Sequence, residues 1–329
     1  MLLLTAEEVR KALPMNEAIE AMKNAYASLA KGTAVIPLRT RLPIPDSEAL
    51  SLFMPAFVRS PEGDALAIKV VSLFPTNPTR GLAYIQAAVL VFNPETGQAI
   101  ALLEGSALTA IRTGAASGAA IDLLARKDSG IVAIFGAGAQ GRTQLEAACV
   151  AREIETAFVY DRNPDKAQAL VTEMNDKGVN ARDLRVAGSA KEAVETADII
   201  CTATTSLRPV FHDEDIKVGT HISAVGSYRP DMQEVPRETL QRAKIFVDSR
   251  SAVLEEAGDL IQPMQARLFD ESHICGELGE VVLGQIPGRQ TQAEITYFKS
   301  VGVAVQDAMA AQVALTNARK MNLGTEVDF

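Results

Sequence analysis

Apolar and polar positions follow two different patterns along the chain, and the pattern changes near residue 129. Before that point, helical spacing predicts an early helix, and its apolar positions are Ile19, Met22, Tyr26 and Leu29. From about residue 35 to 103, short apolar runs are separated by Pro, Gly and Asn, which is typical of strands. The stretch "NPETG" at 93–97 predicts a turn. We therefore expect an α+β unit with a mostly antiparallel sheet.

Strand-like and helix-like segments alternate after residue 129. The run "GIVAIFG" is continuously apolar, as buried parallel strands are, and the helical "RTQLEAACVA" follows it. Further strands are predicted at "TAFVYD", "IICTATT", "THISAVG" and "AKIFVDS". This alternation indicates βαβ units in a doubly wound parallel sheet. The predicted fold is α/β: a Rossmann domain at 119–302, and an α+β domain at 1–118 to which a C-terminal helix at 303–329 returns.

Two isolated cations stand in segments that otherwise have the character of a protein core. Arg112 is the only charge between Gly105 and Ile121, and Lys69 is the only charge in "ALAIKVVSLFP". Arg112 in a structural ion pair and Lys69 as an edge-strand lysine reaching solvent are the alternative interpretations. An unpaired buried cation is costly, so each needs an anion. We expect both cations to bind one small-molecule carboxylate, which an arginine can grip with two parallel hydrogen bonds.

A glycine-rich motif indicates a dinucleotide site. Gly136, Gly138 and Gly141 form GxGxxG between the first Rossmann strand and the helix after it, and Asp161 ends the next strand. The glycines permit a tight turn, close approach of the pyrophosphate and close helix packing, while Asp161 is expected to bind ribose hydroxyls. This pattern favours NAD, but Arg162 could accommodate the 2′-phosphate of NADP. A glycine-rich turn without a ligand is the alternative.

Composition and charge exclude several other classes of function. The net charge is −9 and the pI is about 5.1, so attraction to nucleic acid or to an anionic membrane is not expected. Neither a signal peptide nor a membrane-spanning run is predicted, and we expect a cytoplasmic protein. No metal site is expected, because the cysteines and histidines lack ligand spacing. These residues are Cys149, Cys201, Cys275, His212, His221 and His273.

Motifs along nearly the whole chain resemble those of the ornithine cyclodeaminase/μ-crystallin family. They include "LPMNEAIEAM", "AIKVV", "GLAYIQAAVLVFNPETGQAIALLEGSALTAIRTGAASGAA", "GAGAQG", "AVGSYRPDMQEV", "VDSRSAVLEEAGDL", "GELGEVVLGQIPGRQ" and "SVGVAVQDAMAA". The resemblance implies an N-terminal domain for substrate binding and dimerisation, a Rossmann domain for NAD(P), and a homodimer. It also implies an enzyme that acts on amino acids or their imines.

The resemblance also implies residue roles. Lys69 and Arg112 would be catalytic and would hold the substrate carboxylate near the nicotinamide, and either Arg39 or Arg41 would join them. Thr113 would reach the cofactor phosphates. The remaining predicted cofactor contacts are Ala139, Gln140, Thr204, Val225 and Ser227. As a buried lysine, Lys69 could also donate a proton, because burial and its neighbour Arg112 would lower its pKa toward neutrality.

One position separates the possible reactions. Ornithine cyclodeaminases typically carry an aspartate after the glycine of the "AVG" strand, whereas this chain has Ser227 there and Asp231 four residues later. We therefore expect an NAD(P)H-dependent imine reductase, with Δ1-pyrroline-2-carboxylate as substrate and L-proline as product. Imine reduction needs only carboxylate binding and positioning of an electrophilic carbon for hydride transfer. The alternatives are an ornithine cyclodeaminase, a hydroxyproline dehydratase, an alanine dehydrogenase, another imino-acid reductase and a non-catalytic binding protein.

Overall fold

The computed structural model describes residues 1–60 and 63–328 and divides into two compact units. The first unit comprises Met1–Arg112 and Val303–Phe329, and the second comprises Thr113–Gly302. The division falls inside one long helix, α3 (Gly105–Leu124), whereas the sequence pattern placed the boundary at 118.

The sheet of the first unit has eight strands in the order β16-β1-β7-β6-β5-β4-β2, and β3 also pairs with β4. All neighbours are antiparallel except β1 and β7, which run parallel. The strands are β1 (Leu2–Leu4), β2 (Ala34–Val35), β3 (Thr40–Pro43), β4 (Leu50–Val58), β5 (Ala65–Leu73), β6 (Ile85–Phe92), β7 (Ala99–Glu104) and β16 (Thr325–Glu326). The mostly antiparallel sheet is as the sequence predicted, although β1, β7 and β16 were missed.

Helices cover one face of this sheet. They are α1 (Ala6–Ala12), α2 (Met15–Ala30) and α11 (Ala304–Met321), and α11 packs on β4 and β5. Along β5, Ala67, Lys69 and Val71 are buried on the helix-covered face, whereas the intervening Ile68 and Val70 are only half-buried. This period of two is the pattern of a sheet covered on one side. A short 3-10 helix, Asn77–Arg80, lies between β5 and β6.

The second unit contains an eight-stranded, fully parallel sheet. Its order is β10-β9-β8-β11-β12-β15-β13-β14. The strands are β8 (Ile131–Phe135), β9 (Ile154–Tyr160), β10 (Ala181–Val186), β11 (Ile199–Thr202), β12 (His221–Ala224), β13 (Lys244–Val247), β14 (Ile274–Glu277) and β15 (Thr296–Lys299). The run β10-β9-β8-β11-β12 has the strand order of a Rossmann fold. The sequence did not predict β10, β14 and β15.

Helices cover both faces of the parallel sheet. Val132 and Ile134 of β8 belong to one hydrophobic cluster, and Ala133 and Phe135 belong to another. The helices are α4 (Ala139–Ala151), α5 (Pro164–Asp176), α6 (Ala190–Val194), α7 (Arg237–Arg242), α8 (Arg250–Glu256), α9 (Gly258–Gln265) and α10 (Leu278–Val282), with 3-10 turns at Asp213–Asp215 and Glu271–His273. The predicted doubly wound α/β fold is confirmed. Within the described residues, no helix combines the length and apolarity needed to cross a membrane.

Candidate active site

One buried carboxylate lies between the two isolated cations of the first unit. Asp307 Oδ2 is 2.7 Å from Lys69 Nζ, and Asp307 Oδ1 accepts a hydrogen bond from Arg112 Nε at 3.0 Å. The side chains of Lys69 and Asp307 are each only 2 % exposed. Because two cations share one anion, this cluster carries an excess of positive charge. A bound carboxylate would neutralise that excess.

Three elements position these groups. Lys69 points from the helix-covered face of β5, Arg112 lies on α3, and Asp307 lies in the first turn of α11. A carboxylate near a helix N-terminus is stabilised by the helix dipole. The isolated charges in apolar segments therefore belong together, which the sequence analysis expected of Lys69 and Arg112 but not of Asp307.

A hydrogen-bonded chain extends the cluster. Gln306 Oε1 accepts from Arg112 Nη1 at 3.1 Å and from the backbone N–H of Val303 at 2.8 Å. Gln306 Nε2 donates to the hydroxyl of Tyr26 on α2 at 2.8 Å. The contacts to Asp307 and Gln306 use two of the five N–H groups of the Arg112 guanidinium. Arg112 is therefore held from one side and keeps donors for a ligand.

The cluster shifts the acidity of Lys69. Burial, and secondly the charge of Arg112, lower the pKa of Lys69 from 10.5 to about 7, although Asp307 opposes the shift. The positive charge of Arg39 adds to the lowering. Lys69 can therefore exchange a proton near neutral pH, as a general acid must. A bound carboxylate would favour the protonated form.

The structure distinguishes the two N-terminal arginines. In the sheet register Arg41 lies opposite Leu52, outside the row of the pair Met54 and Lys69, whereas Arg39 directly precedes β3. Arg39 is half-buried, whereas Arg41 is exposed. The charge of Arg39 is also one of the influences that lower the pKa of Lys69.

The glycine-rich turn in the second unit connects β8 to α4. Gly136 has a φ of 98°, a conformation that favours glycine, and a Cβ on Gly141 would collide with the carbonyl oxygen of Gly136. Gly138 precedes α4, and a Cβ there would meet no atom within 4 Å. No side chain caps α4. The amides of its first turn, which includes Ala139 and Gln140, therefore suit the pyrophosphate of a dinucleotide.

Asp161 follows β9 and closes the same turn. Its Oδ2 accepts from the backbone N–H of Ala137 at 2.8 Å, and its Oδ1 accepts from that of Asn163 at 2.9 Å. A carboxylate has about four acceptor positions, so capacity for ribose hydroxyls remains. Arg162 is exposed beside it. Asp161 and Arg162, the two residues predicted to influence the choice between NAD and NADP, thus both lie at the carboxyl end of β9.

The other predicted cofactor residues lie at neighbouring strand ends of the second unit. Thr204 follows β11, and Val225 and Ser227 follow β12, so they share the sheet edge of the glycine-rich turn. Thr113 on α3 accepts a hydrogen bond from Gln144 Nε2 of α4 through its carbonyl oxygen, at 3.3 Å. Thr204, Val225 and Ser227 therefore lie at the edge of the sheet where parallel α/β folds bind ligands.

The side chain of Ser227 is fully engaged inside the second unit. Its hydroxyl donates to the carbonyl of Met232 and accepts from the backbone N–H of Asp259, both at 3.0 Å, and the residue is completely buried. Asp231 instead lies at the surface in an ion pair with Arg229, at 2.9 Å. Both side chains are thus already engaged by groups of the second unit.

Sequence reasoning missed several buried polar residues. Asp307 carried the same signal as Lys69 and Arg112, because it is the only charge between Lys299 and Arg319. Glu234 and Asp259 lie among other polar residues and gave no comparable signal. Among residues 1–60 and 63–328, no group of three or more potential ligands is arranged to hold a metal ion.

Comparison with known proteins relates this arrangement to a family of enzymes. The model of the ornithine cyclodeaminase/mu-crystallin family matches residues 1–322. A Delta(1)-pyrroline-2-carboxylate reductase of Bacillus cereus is 39% identical over 330 residues, covering 100% of both chains.

Solved structures show the same similarity. The Thermococcus litoralis Delta(1)-pyrroline-2-carboxylate reductase, in complex with NADH and L-proline, is 44% identical with a TM-score of 0.93, over 99% of this chain and 100% of that one. An archaeal alanine dehydrogenase dimer with bound NAD is 32% identical with a TM-score of 0.91, over 100% and 99% of the two chains. As the sequence motifs predicted, the chain belongs to the ornithine cyclodeaminase/mu-crystallin family.

Proposed function

We propose that this protein is an NAD(P)H-dependent imine reductase that converts Δ1-pyrroline-2-carboxylate into L-proline. The observation that carries the proposal is the buried cluster in which Lys69 and Arg112 share the single carboxylate of Asp307. The excess positive charge suits a substrate that brings its own carboxylate. The 44% identical reductase, whose structure contains NADH and L-proline, supports the choice of this imino acid.

The arginines of the first unit are proposed to bind the substrate carboxylate. Arg112, fixed by Asp307 and Gln306, binds the substrate carboxylate with its remaining N–H groups. We propose Arg39, rather than Arg41, as the third cation, because its charge reaches Lys69. Holding the carboxylate fixes the position of the adjacent C=N carbon, which is the part of catalysis that orientation supplies.

Lys69 is the proposed proton donor. When bound, NADH supplies the hydride that the imine carbon accepts. The imine nitrogen then needs one proton to become the amine of proline, and the ammonium of Lys69 provides it. A lysine with a pKa of about 7 is a far better acid than an ordinary lysine. The substrate carboxylate keeps Lys69 protonated until that transfer.

The residues of the second unit fit the cofactor. The uncapped start of α4 and the turn at Gly136–Gly141 suit the pyrophosphate, and Asp161 suits a ribose. We propose NAD as the cofactor, with NADP also accepted through Arg162. The structures with NADH and with NAD support the first part of this assignment.

A lyase reaction is less well supported. A cyclodeaminase must orient the distal amine of its substrate, yet the hydroxyl of Ser227 is engaged by Met232 and Asp259. Asp231 is paired with Arg229 at the surface. These contacts support a reductase over a cyclodeaminase, because the groups at both positions are already engaged.

We also propose that the protein is a homodimer formed through the open face of the first unit's sheet. Paired strands place a continuous apolar surface there, and its residues are half-buried or exposed. They are Phe53, Phe57, Leu66, Ile68, Val70, Leu90, Phe92 and Leu102. Contiguous apolar patches of this kind mark interfaces.

We propose a cytoplasmic location, which is supported by the three free cysteines. Burial raises the pKa of the Cys149 and Cys201 thiols to about 12.

The assignment is tested by following NADH absorbance with Δ1-pyrroline-2-carboxylate, with pyruvate plus ammonia, and with ornithine. The wild type should consume NADH fastest with the cyclic imine. Arg112→Ala should lower kcat/KM by about 30- to 3000-fold, since losing one partner of a buried charge pair costs roughly 2–5 kcal/mol, while the Kd for NADH stays unchanged. Ammonia release from ornithine without net NADH consumption would instead indicate a cyclodeaminase.

Arg39 and Arg41 form a matched pair for testing the third cation. Arg39→Ala should raise KM for the imino acid about 10- to 100-fold, the value of one hydrogen bond to a charged group. Arg41→Ala should change KM less than about threefold, because Arg41 is exposed outside the row of Lys69. Equal effects, or a larger effect of Arg41→Ala, would contradict the assignment.

The pH dependence of kcat/KM tests the role of Lys69. Activity needs the protonated lysine, so kcat/KM should be constant below the pKa of Lys69, about 7, and should fall about tenfold per pH unit above it. Asp307→Asn removes the anion that raises this pKa, and its alkaline limb should move to lower pH. Ionisation of the substrate is common to both proteins and cancels in the comparison. An unmoved limb would exclude Lys69 as the titrating group.

The dimer is tested by light scattering coupled to size exclusion. Wild type should elute with about twice the chain mass of 35.1 kDa. Val70→Glu places a charge on the open sheet face and should yield monomers, because burying an unpaired charge in an interface is costly. Val218→Glu, at a 66 % exposed valine of the second unit, is the control and should remain dimeric. A dimeric Val70→Glu protein would place the interface elsewhere.

A further inference from the structure

A single buried carboxylate connects two neighbouring loops of the second unit. Glu234 Oε1 accepts from the backbone N–H of Thr204 at 2.6 Å and from its hydroxyl at 2.8 Å. Oε2 accepts from the hydroxyl of Thr202 at 2.9 Å, the N–H of Gly226 at 2.8 Å and the N–H of Ser227 at 3.2 Å. Glu234 is completely buried. The ends of β11 and β12 are thus tied through one side chain.

The two loops approach so closely that Gly226 cannot be replaced without movement. A Cβ on Gly226 would collide with the carbonyl oxygen of Thr204 and with Oε1 of Glu234. Backbone amides and a carboxylate therefore occupy the space that a side chain would fill. The path of each loop depends on Glu234 remaining in place.

Glu234 is itself held by a buried ionic cluster. Asp259 Oδ1 accepts from the N–H of Glu234 at 2.7 Å, and its Oδ2 accepts from the hydroxyl of Tyr297 at 3.2 Å. Lys299 Nζ lies 3.6 Å from Asp259 Oδ2, and both are fully buried. Burial raises the pKa of Glu234, while the charge of Lys299 and the donors at Thr204 act in the opposite direction. The whole assembly fixes both loops to the interior of the sheet.

The position of these loops in the sheet indicates which part of the dinucleotide they meet. The strand order is β9-β8-β11-β12, with the pyrophosphate turn after β8 and the ribose acid Asp161 after β9. A dinucleotide that crosses the strand ends in this way has its nicotinamide half on the side of β11 and β12. The loops that Glu234 joins lie on that side.

We propose that Glu234 is a positioning residue for the cofactor: it fixes the backbone at Thr204 and at Val225–Ser227 in the form that receives the nicotinamide half of NADH. This inference rests on the proposed use of NADH by this protein. Glu234 acts through the two loops, since its own carboxylate is consumed by their five hydrogen bonds.

A carboxylate is required here because each oxygen faces a backbone N–H. Hydroxyl groups can rotate to accept, but the amides of Thr204 and Gly226 can only donate. Glutamine has the same shape, but in either orientation of its amide the NH₂ group, a donor, faces the N–H of Thr204 or that of Gly226. Glu234→Gln therefore releases one loop while leaving the packing volume unchanged.

The test measures NADH binding by fluorescence titration of the purified protein without substrate. Glu234→Gln should raise the Kd for NADH about 10- to 100-fold, as expected when a buried donor loses its acceptor. Glu294→Gln is the matched control, because Glu294 also accepts two backbone N–H bonds, from Gln290 and Thr291, but before β15 at the opposite end of the strands. The Kd of the Glu294→Gln protein for NADH should stay within about twofold of the wild-type value.

A folded Glu234→Gln protein with a lower Tm and an unchanged Kd would overturn the proposal, because a merely structural residue behaves in that way. If Glu234→Gln does not fold, Thr202→Val removes one donor from Oε2 with little change in shape. It should raise the Kd about 3- to 10-fold, and an unchanged Kd would again overturn the proposal. Wild type that binds NADH but reduces no imine would refute the reductase assignment and leave this inference intact.

Discussion

One buried carboxylate, that of Asp307, governs the chemistry of the first unit. Two buried cations lie against it, so the cluster has one positive charge too many. In such surroundings the imbalance is resolved either by loss of a proton from Lys69 or by arrival of an anion. In the proposed mechanism the cluster therefore links carboxylate binding to the protonation of Lys69, and the ligand that binds also prepares the acid that acts on it.

The second unit uses buried carboxylates differently, to hold loops at the ends of parallel strands. Glu234 joins the loops after β11 and β12. Asp248, at the end of β13, accepts from the hydroxyl of Ser300 and from the N–H groups of Val301 and Gly302 after β15. A carboxylate offers two acceptor oxygens and no donor, so both of its oxygens can receive N–H and O–H groups. Loops without regular secondary structure thereby keep defined positions at the carboxyl ends of the parallel strands.

Much of this architecture was predictable from sequence, because isolated charges and apolar runs reflect burial directly. Lys69 and Arg112 stood out for this reason, and the glycine-rich turn stood out because Gly136 needs a positive φ. The strands β1 and β16 were missed, since two or three residues give too little periodicity, and β10 was missed because half of its residues are charged. Asp307 was missed although it is as isolated a charge as Lys69 and Arg112, and Glu234 was missed because it lies among other polar residues. The proposed choice of Arg39 over Arg41 rests on burial and on the charge that reaches Lys69, neither of which a single sequence specifies.

The return of α11 to the first unit affects the order in which the protein can fold during synthesis. Arg112 and Asp307 are separated by 195 residues, and the whole second unit is made between them. At ~5–20 residues per second, a ribosome needs roughly 10–40 s for that length. During this time the parallel sheet can form, but Lys69 and Arg112 have no buried acid, and β4 and β5 lack their covering helix. The nascent first unit thus presents apolar strands to the cell longer than the second, and it is the part that chaperones have reason to protect.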